Sequence, residues 1–404
     1  MKKFFIAGVF ILILCFASGC RSGVDSTPGA DGSVPPINWT LSSHRVCVDI
    51  DFSSDDPDDF DFEIFGVEIT YGNGKFVVGG LARGEDGYYD PEIWFSTDRG
   101  KTWNKGACPY DTYHDLEYSR KTVPFVAALG FGGGTYVSAI GGHGFLSSSN
   151  DLVNWNKTED YMGRKYSAGY FTYGNGTFVY SGYKAGSLKY SIDKGRSWKD
   201  RDDKLDDFDV AHIRGSSITY GDGLFYGFAR GGYEDWENKP DRFGLATSVD
   251  AINWTSIAME EGDDGKYYQF YEGTRGILAY GDGVLVATNN HYYYERYPYL
   301  SYSTNKGVTW VPAICDPKLG DGAFIHKIVY GNGYFVAVGM ADQDNGLDIV
   351  DNYCGKIWYS DNMGKSWKEA KVDLEFDYFW NASFGDNTFV IVSDKGKIYY
   401  SNVK

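Results

Sequence analysis

The chain has 404 residues and a formal net charge of −17, from 38 Lys and Arg against 55 Asp and Glu. Neutralising phosphates needs a basic surface, so this balance argues against a nucleic-acid partner. Aromatic residues at 18% and 52 glycines suit many short strands joined by tight turns, and no internal apolar run approaches the ~20 residues that span a bilayer.

At the N-terminus, Lys2 and Lys3 precede an apolar stretch over residues 4–16, the order of a targeting segment. Ala17-Ser18-Gly19-Cys20 resembles the lipobox of bacterial lipoproteins, although Ala17 stands where Leu is commonest. The resemblance implies a signal peptide over residues 1–19 and a lipid on Cys20, hence a membrane contact through that lipid and a place in the bacterial cell envelope. Residues 20–36, rich in Ser, Gly, Asp and Pro, read as a flexible tether. Arg21 follows the cysteine instead of the Asp that often marks inner-membrane retention, so the outer membrane is expected if the source has one.

From residue 37 onward a short phrase recurs. Tyr71-Gly72-Asn73-Gly74 leads into an apolar strand, the next strand ends at Ser96, and a turn closes at Trp103. The aromatic-Gly pair returns at Phe131, Tyr173, Tyr220, Tyr280, Tyr330 and Phe384, and the closing Trp at Trp155, Trp198, Trp254, Trp310 and Trp367. Strand repeats of this length predict an all-β, single seven-bladed β-propeller of four-stranded antiparallel blades over residues 37–404. The last repeat stops after its third strand, while Ile37-Asn38-Trp39-Thr40 copies Ile252-Asn253-Trp254-Thr255. An N-terminal strand is therefore expected to complete the last blade and leave no free sheet edge.

The turn before each Trp resembles the Asp-box (BNR) repeat of the sialidase superfamily, Ser-x-Asp-x-Gly-x-Thr/Ser-Trp. Good copies span residues 96–103, 191–198, 303–310 and 360–367, the last two with Asn for Asp; residues 148–155 keep Ser148, Asn150 and Trp155, and 248–254 is one residue shorter. Asp98, Asp193, Asn305 and Asn362 are expected to accept turn N–H groups, and Trp103, Trp198, Trp310 and Trp367 to pack between sheets, as scaffold.

Function is less legible. In this meander the b–c loops and the connections between blades share one face, and all long insertions fall there: residues 81–92, 231–244, 289–298, 341–355, 110–124, 202–214 and 260–275. Loop elaboration on a rigid scaffold is where binding sits. Trp236, Tyr292, Tyr293, Tyr294 and Trp380 mix with acids on this face, a composition that suits a sugar ring or a protein partner alike. Arg214, Arg275 and Lys327 fall near the start of the inner strand in three successive blades, where sialidases grip a carboxylate; the Arg-Ile-Pro that normally opens a sialidase is missing. The expected function is a lipid-anchored monomeric module binding a glycan or protein, with a glycoside hydrolase using paired carboxylates as the alternative and an assembly factor as the third reading. No cofactor is expected. Ca²⁺ at the acidic runs of residues 49–61 and 342–351 is the remaining metal option, without EF-hand spacing, and the dispersed histidines exclude a zinc motif. Oxidation in an exported protein would pair Cys47 with Cys108 and Cys315 with Cys354, one of three connectivities.

Overall fold

The computed structural model describes residues 37–45, 67–83, 89–109, 125–141, 145–161, 169–182, 188–201, 218–230, 243–257, 277–288, 300–316, 319, 323–342, 353–370 and 378–403. Their regular elements are strands, arranged as seven small sheets in a propeller ring. Blade one gives the plan: Glu68–Gly72, Lys75–Arg83, Tyr89–Ser96 and Asn104–Lys105 pair antiparallel in that order from channel to rim. Blade six adds a fifth strand, Ile314–Cys315, parallel to Ser366–Glu369 on its rim. The segment leaving blade five thus runs along the outside of blade six, which the repeat pattern does not announce.

The ring closes across the termini as expected. Ile37–Arg45 pairs antiparallel with Lys397–Val403, and Trp39 lies opposite Ser401. Ile37 is buried with Phe379, Phe389, Ile391 and Tyr399. In blades one, five and six the box Trp donates its indole N–H to a turn carbonyl: Trp103 to Gly100 at 3.0 Å, Trp310 to Gly307 at 3.1 Å and Trp367 to Gly364 at 3.1 Å. Trp39 has no acceptor among the described residues.

Packing around the channel explains the recurring aromatic-Gly pair. The inner strands Glu68–Gly72, Phe125–Gly132, Gly169–Gly174, Ile218–Gly221, Leu278–Gly281, Phe324–Gly331 and Phe379–Gly385 all end on it. Each glycine lies beneath the aromatic ring of the following blade. A Cβ on Gly72 would sit 2.0 Å from Phe131, on Gly132 2.0 Å from Tyr173, on Gly174 2.1 Å from Tyr220, and so on round to Gly385, 2.1 Å from Tyr71. Only glycine permits that approach, so the ring of aromatics and glycines is what sets blade against blade.

The Asp boxes do the same work at the rim. Ser96 Oγ accepts the Gly100 N–H at 2.8 Å, and Asp98 accepts the Thr102 N–H at 2.8 Å and its hydroxyl at 2.6 Å. Two successive residues are left-handed, Arg99 at φ 67° and Gly100 at φ 84°. Trp103 then packs on Val390, Val392 and Ile398 of the preceding blade. Burial alone would raise the Asp98 carboxyl, but hydrogen bonds from Thr102, Ser96 and Lys101 together hold it below the usual carboxylate range. Asn305 and Asn362 keep the same contacts, accepting the N–H of Thr309 and Ser366. Blade two corrects the expected register. Its box starts at Ser149, whose Oγ accepts the Leu152 N–H, and Asp151 rather than Asn150 accepts the turn amides. It is the same shortened form as Ser248 with Asp250, one residue tighter between Asp and Trp.

The cysteine pairing also needs correction. Cys315 and Cys354 both carry free thiols. Cys315 lies beside Trp367, at the box end of blade six, whereas Cys354 pairs with Ala341, six residues up the third strand from Ser360. That is about 20 Å along a strand, against the ~7 Å that a disulfide spans between Cα atoms. Burial pushes the Cys315 thiol up to about 11, away from thiolate chemistry. Cys108 packs between blades one and two near Trp155; Cys47 lies outside the described residues.

Candidate functional site

Counting three residues back from each recurring aromatic gives one layer across the channel, just inside its loop-side mouth: Glu68, Ala128, Tyr170, Ser217, Ile277, Lys327 and Asn381 in blades one to seven. Ser217 lies outside the described residues. Three of these strands carry a register shift immediately before this position, ahead of Ala128, Lys327 and Asn381. Such bulges re-aim the side chain that follows.

The layer holds a polar cluster. Asn381 donates from Nδ2 to Glu68 Oε2 at 3.0 Å, linking blades seven and one, while its Oδ1 accepts the Ala382 N–H at 2.8 Å. Lys327 Nζ sits 5.0 Å from the centroid of the Tyr170 ring. Blades six and three are not neighbours in either direction round the ring, so this cation–π contact crosses the channel. Lys327 donates no hydrogen bond among the described residues; the Glu68 carboxylate acts on it through space. The Tyr180 hydroxyl, buried within the field of Glu68, also lacks a partner there, and burial pushes it up.

Burial dominates the electrostatics. It raises Glu68 well above the usual carboxylate range, opposed by the Lys327 charge and the Asn381 hydrogen bond. It lowers Lys327, opposed by Glu68. Lys327 nonetheless keeps some solvent contact, as a side chain projecting into a narrow lumen does. Beside this cluster, His326 and Trp380 occupy the two bulges of blades six and seven and lie tilted against each other with ring centroids 4.6 Å apart.

Of the binding candidates read from sequence, Lys327 and Trp380 are thus brought together on adjacent blades. Arg214, Arg275, Trp236, Tyr292, Tyr293 and Tyr294 lie outside the described residues, as does Cys20. Glu68, Asn381 and Tyr170 escaped the sequence reading. Aligning the seven inner strands on their aromatic would have found them, because a Glu and a Lys stand out at a position otherwise small, apolar or neutral. Among the described residues, no group of His, Cys, Asp and Glu could hold a metal ion.

The fold and its turns define a class, an Asp-box propeller with a charged layer across the loop-side mouth of its channel. In agreement, residues 94–105 match the family described as BNR/Asp-box repeat. No curated protein matches the chain by sequence. Among solved structures it is similar to YCF48 bound to D1 peptide, at TM-score 0.53 and 11% identity over 92% of this chain and 98% of that one. It is also similar to a catalytically inactive virginiamycin B lyase from Staphylococcus aureus with quinupristin, at TM-score 0.51 and 10% identity over 91% and 100%. A phage phi92 endosialidase aligns at TM-score 0.46 and 10% identity over 91% and 68%. At these identities the likeness is one of fold.

Proposed function

We propose that the protein is a binding module of the bacterial cell envelope, held by a lipid on Cys20, that takes a protein segment or a glycan chain at the loop-side mouth of the channel. The observation that carries this reading is the make-up of the channel layer: one buried carboxyl, Glu68, with an ammonium that donates no hydrogen bond among the described residues and two aromatic surfaces, Tyr170 and the Trp380–His326 pair. Hydrolysis of glycosides uses two carboxyls roughly 5–10 Å apart, and among the described residues this layer offers one. An ammonium with spare donors beside aromatic rings instead suits recognition of a polar chain. A polypeptide is favoured over a glycan because one of the fold neighbours that align over nearly the whole of both chains is bound to a peptide.

The test is a peptide-library capture and a glycan array run beside a glycoside-hydrolysis screen on the protein. Saturable peptide or glycan binding that weakens about tenfold or more in Lys327→Met supports the reading, since loss of one charged hydrogen bond is worth that much. Glycoside turnover that disappears in Glu68→Gln would replace it with the hydrolase.

A further inference from the structure

We infer that the face opposite the loops, formed by the Asp-box turns of blades two, three and four, rests on a lipid surface rich in anionic headgroups. Three apolar side chains stand out from the turns of these successive blades: Val153 is 62% exposed, Ile192 63% and Val249 59%. At the position of Ile192 and Val249, blades one, five and six carry Thr97, Thr304 and Asp361, although Val311 and Ile314 beside the boxes of blades five and six are also exposed, at 43% and 69%. Single exposed apolar residues are ordinary, but three on neighbouring tips of one flat face form a surface suited to insertion at an interface.

Charge on this face differs from that of the whole chain. The box carboxylates Asp98, Asp151, Asp193 and Asp250 keep their charge but are engaged by turn donors. Of the remaining acids on this face, Asp386 is paired with Arg99, Asp361 with Lys368, and Asp282 and Asp222 accept tyrosine hydroxyls. The exposed cations Lys101, Lys194, Arg196, Lys306 and Lys365 have no ion pair among the described residues. Of these, Lys194 and Arg196 flank Ile192 in blade three, while Lys101, Lys306 and Lys365 stand on the turns of blades one, five and six; the pair beside Ile192 complements an anionic leaflet.

The course of the chain points the same way. Ile37 pairs with Val403 at the box end of the last blade, so the chain enters the ring from this face, and the segment between the Cys20 lipid of the proposed function and Ile37 is joined to it there. An anchor there brings the box face, and not the loop face, to the membrane. The loop-side mouth then points away from the bilayer toward its partner.

The experiment is flotation of residues 37–404, whose ring is closed by the Ile37 strand, with phosphatidylglycerol and with phosphatidylcholine vesicles. The expected result is co-flotation with the first, weaker with the second and weakened by salt. Combined Val153→Asp, Ile192→Asp and Val249→Asp should reduce it at least about tenfold at an unchanged melting temperature, because all three side chains are exposed. Lys194→Glu with Arg196→Glu should abolish the preference for phosphatidylglycerol. No flotation of the wild type, or equal flotation of the triple variant, overturns the inference. So does a dimer that the three substitutions dissolve, which would make this face an interface between copies. None of these outcomes touches the partner-binding reading, which rests on the opposite face.

Discussion

A methyl group added to Gly132 would lie 2.0 Å from the ring of Tyr173, and neither can retreat, since Tyr173 is itself packed on Phe178 at a centroid distance of 4.7 Å. Gly132→Ala should therefore destabilise by about 1–3 kcal/mol through overpacking. Gly134→Ala, where nothing lies within 4 Å of the added carbon, is the control and is strained only by its positive φ of 79°. Chemical denaturation of both variants decides it, and equal losses would refute the clash. Glu68 makes a second prediction. Its raised pKa means that the native state keeps a proton that the unfolded chain releases. The stability of the wild type should then fall as pH rises from the ordinary glutamate range to the raised value. Lys327, lowered by burial, contributes the opposite slope at higher pH, below the ordinary lysine range. Glu68→Gln keeps an acceptor for Asn381 and removes the titration, so its stability relative to wild type should rise between pH 5 and pH 8. A constant difference across that range would show that the carboxyl does not titrate as described.

At the scale of the turn, the chain supplies its own comparison. Blades five and six use Asn305 and Asn362 where blades one and three use Asp98 and Asp193, and the turn amide is accepted either way. Asp98→Asn should thus cost little, while Asp98→Ala leaves the Thr102 N–H and hydroxyl without their acceptor and should cost about 1–2 kcal/mol. The stabilisation from a depressed carboxyl is present above its unfolded pKa and lost as pH falls through the folded one. Asp98→Asn should accordingly resist acid slightly better than wild type in a melt near pH 3; a greater acid sensitivity would contradict the turn's role. These turns were legible because their chemistry is local: Ser, Asp, Gly and Trp meet within eight residues, and spacing alone specifies the contacts. Blade two misled because Ser148 and Ser149 are adjacent, and only the backbone shows which one caps the turn. The cysteines misled for a related reason. Proximity of Cys315 and Cys354 was read from chain order, whereas the Ile314–Cys315 strand runs along the rim of blade six and carries Cys315 to the far end. The channel layer is nonlocal altogether, assembled from residues as distant as Glu68 and Asn381. It becomes visible in the sequence only once the repeats are superposed.

Across the whole molecule, six blades are continuous in chain from inner to outer strand, and the seventh is joined only by hydrogen bonds and packing between Ile37–Arg45 and Lys397–Val403. That seam holds the ring shut. Removing residues 37–45 strips Ile37 from the cluster of Phe379, Phe389 and Tyr399, takes the Trp39 ring from its contact with Phe389 at 6.4 Å, and bares the edge of Lys397–Val403. Loss of two large apolar side chains should cost at least about 3 kcal/mol, a sizeable part of a domain's usual stability. The bared edge should also pair with other copies, giving association that grows with concentration. A peptide of residues 37–45 added in trans should restore both the melting temperature and the monomer, because the edge offers a ready register with Trp39 opposite Ser401. Scanning calorimetry and sedimentation of the truncated chain, with and without the peptide, test this directly. A truncated chain that melts with the intact one and stays monomeric would mean that the seam carries no load, and that the ring is held by its inner aromatic-glycine contacts alone.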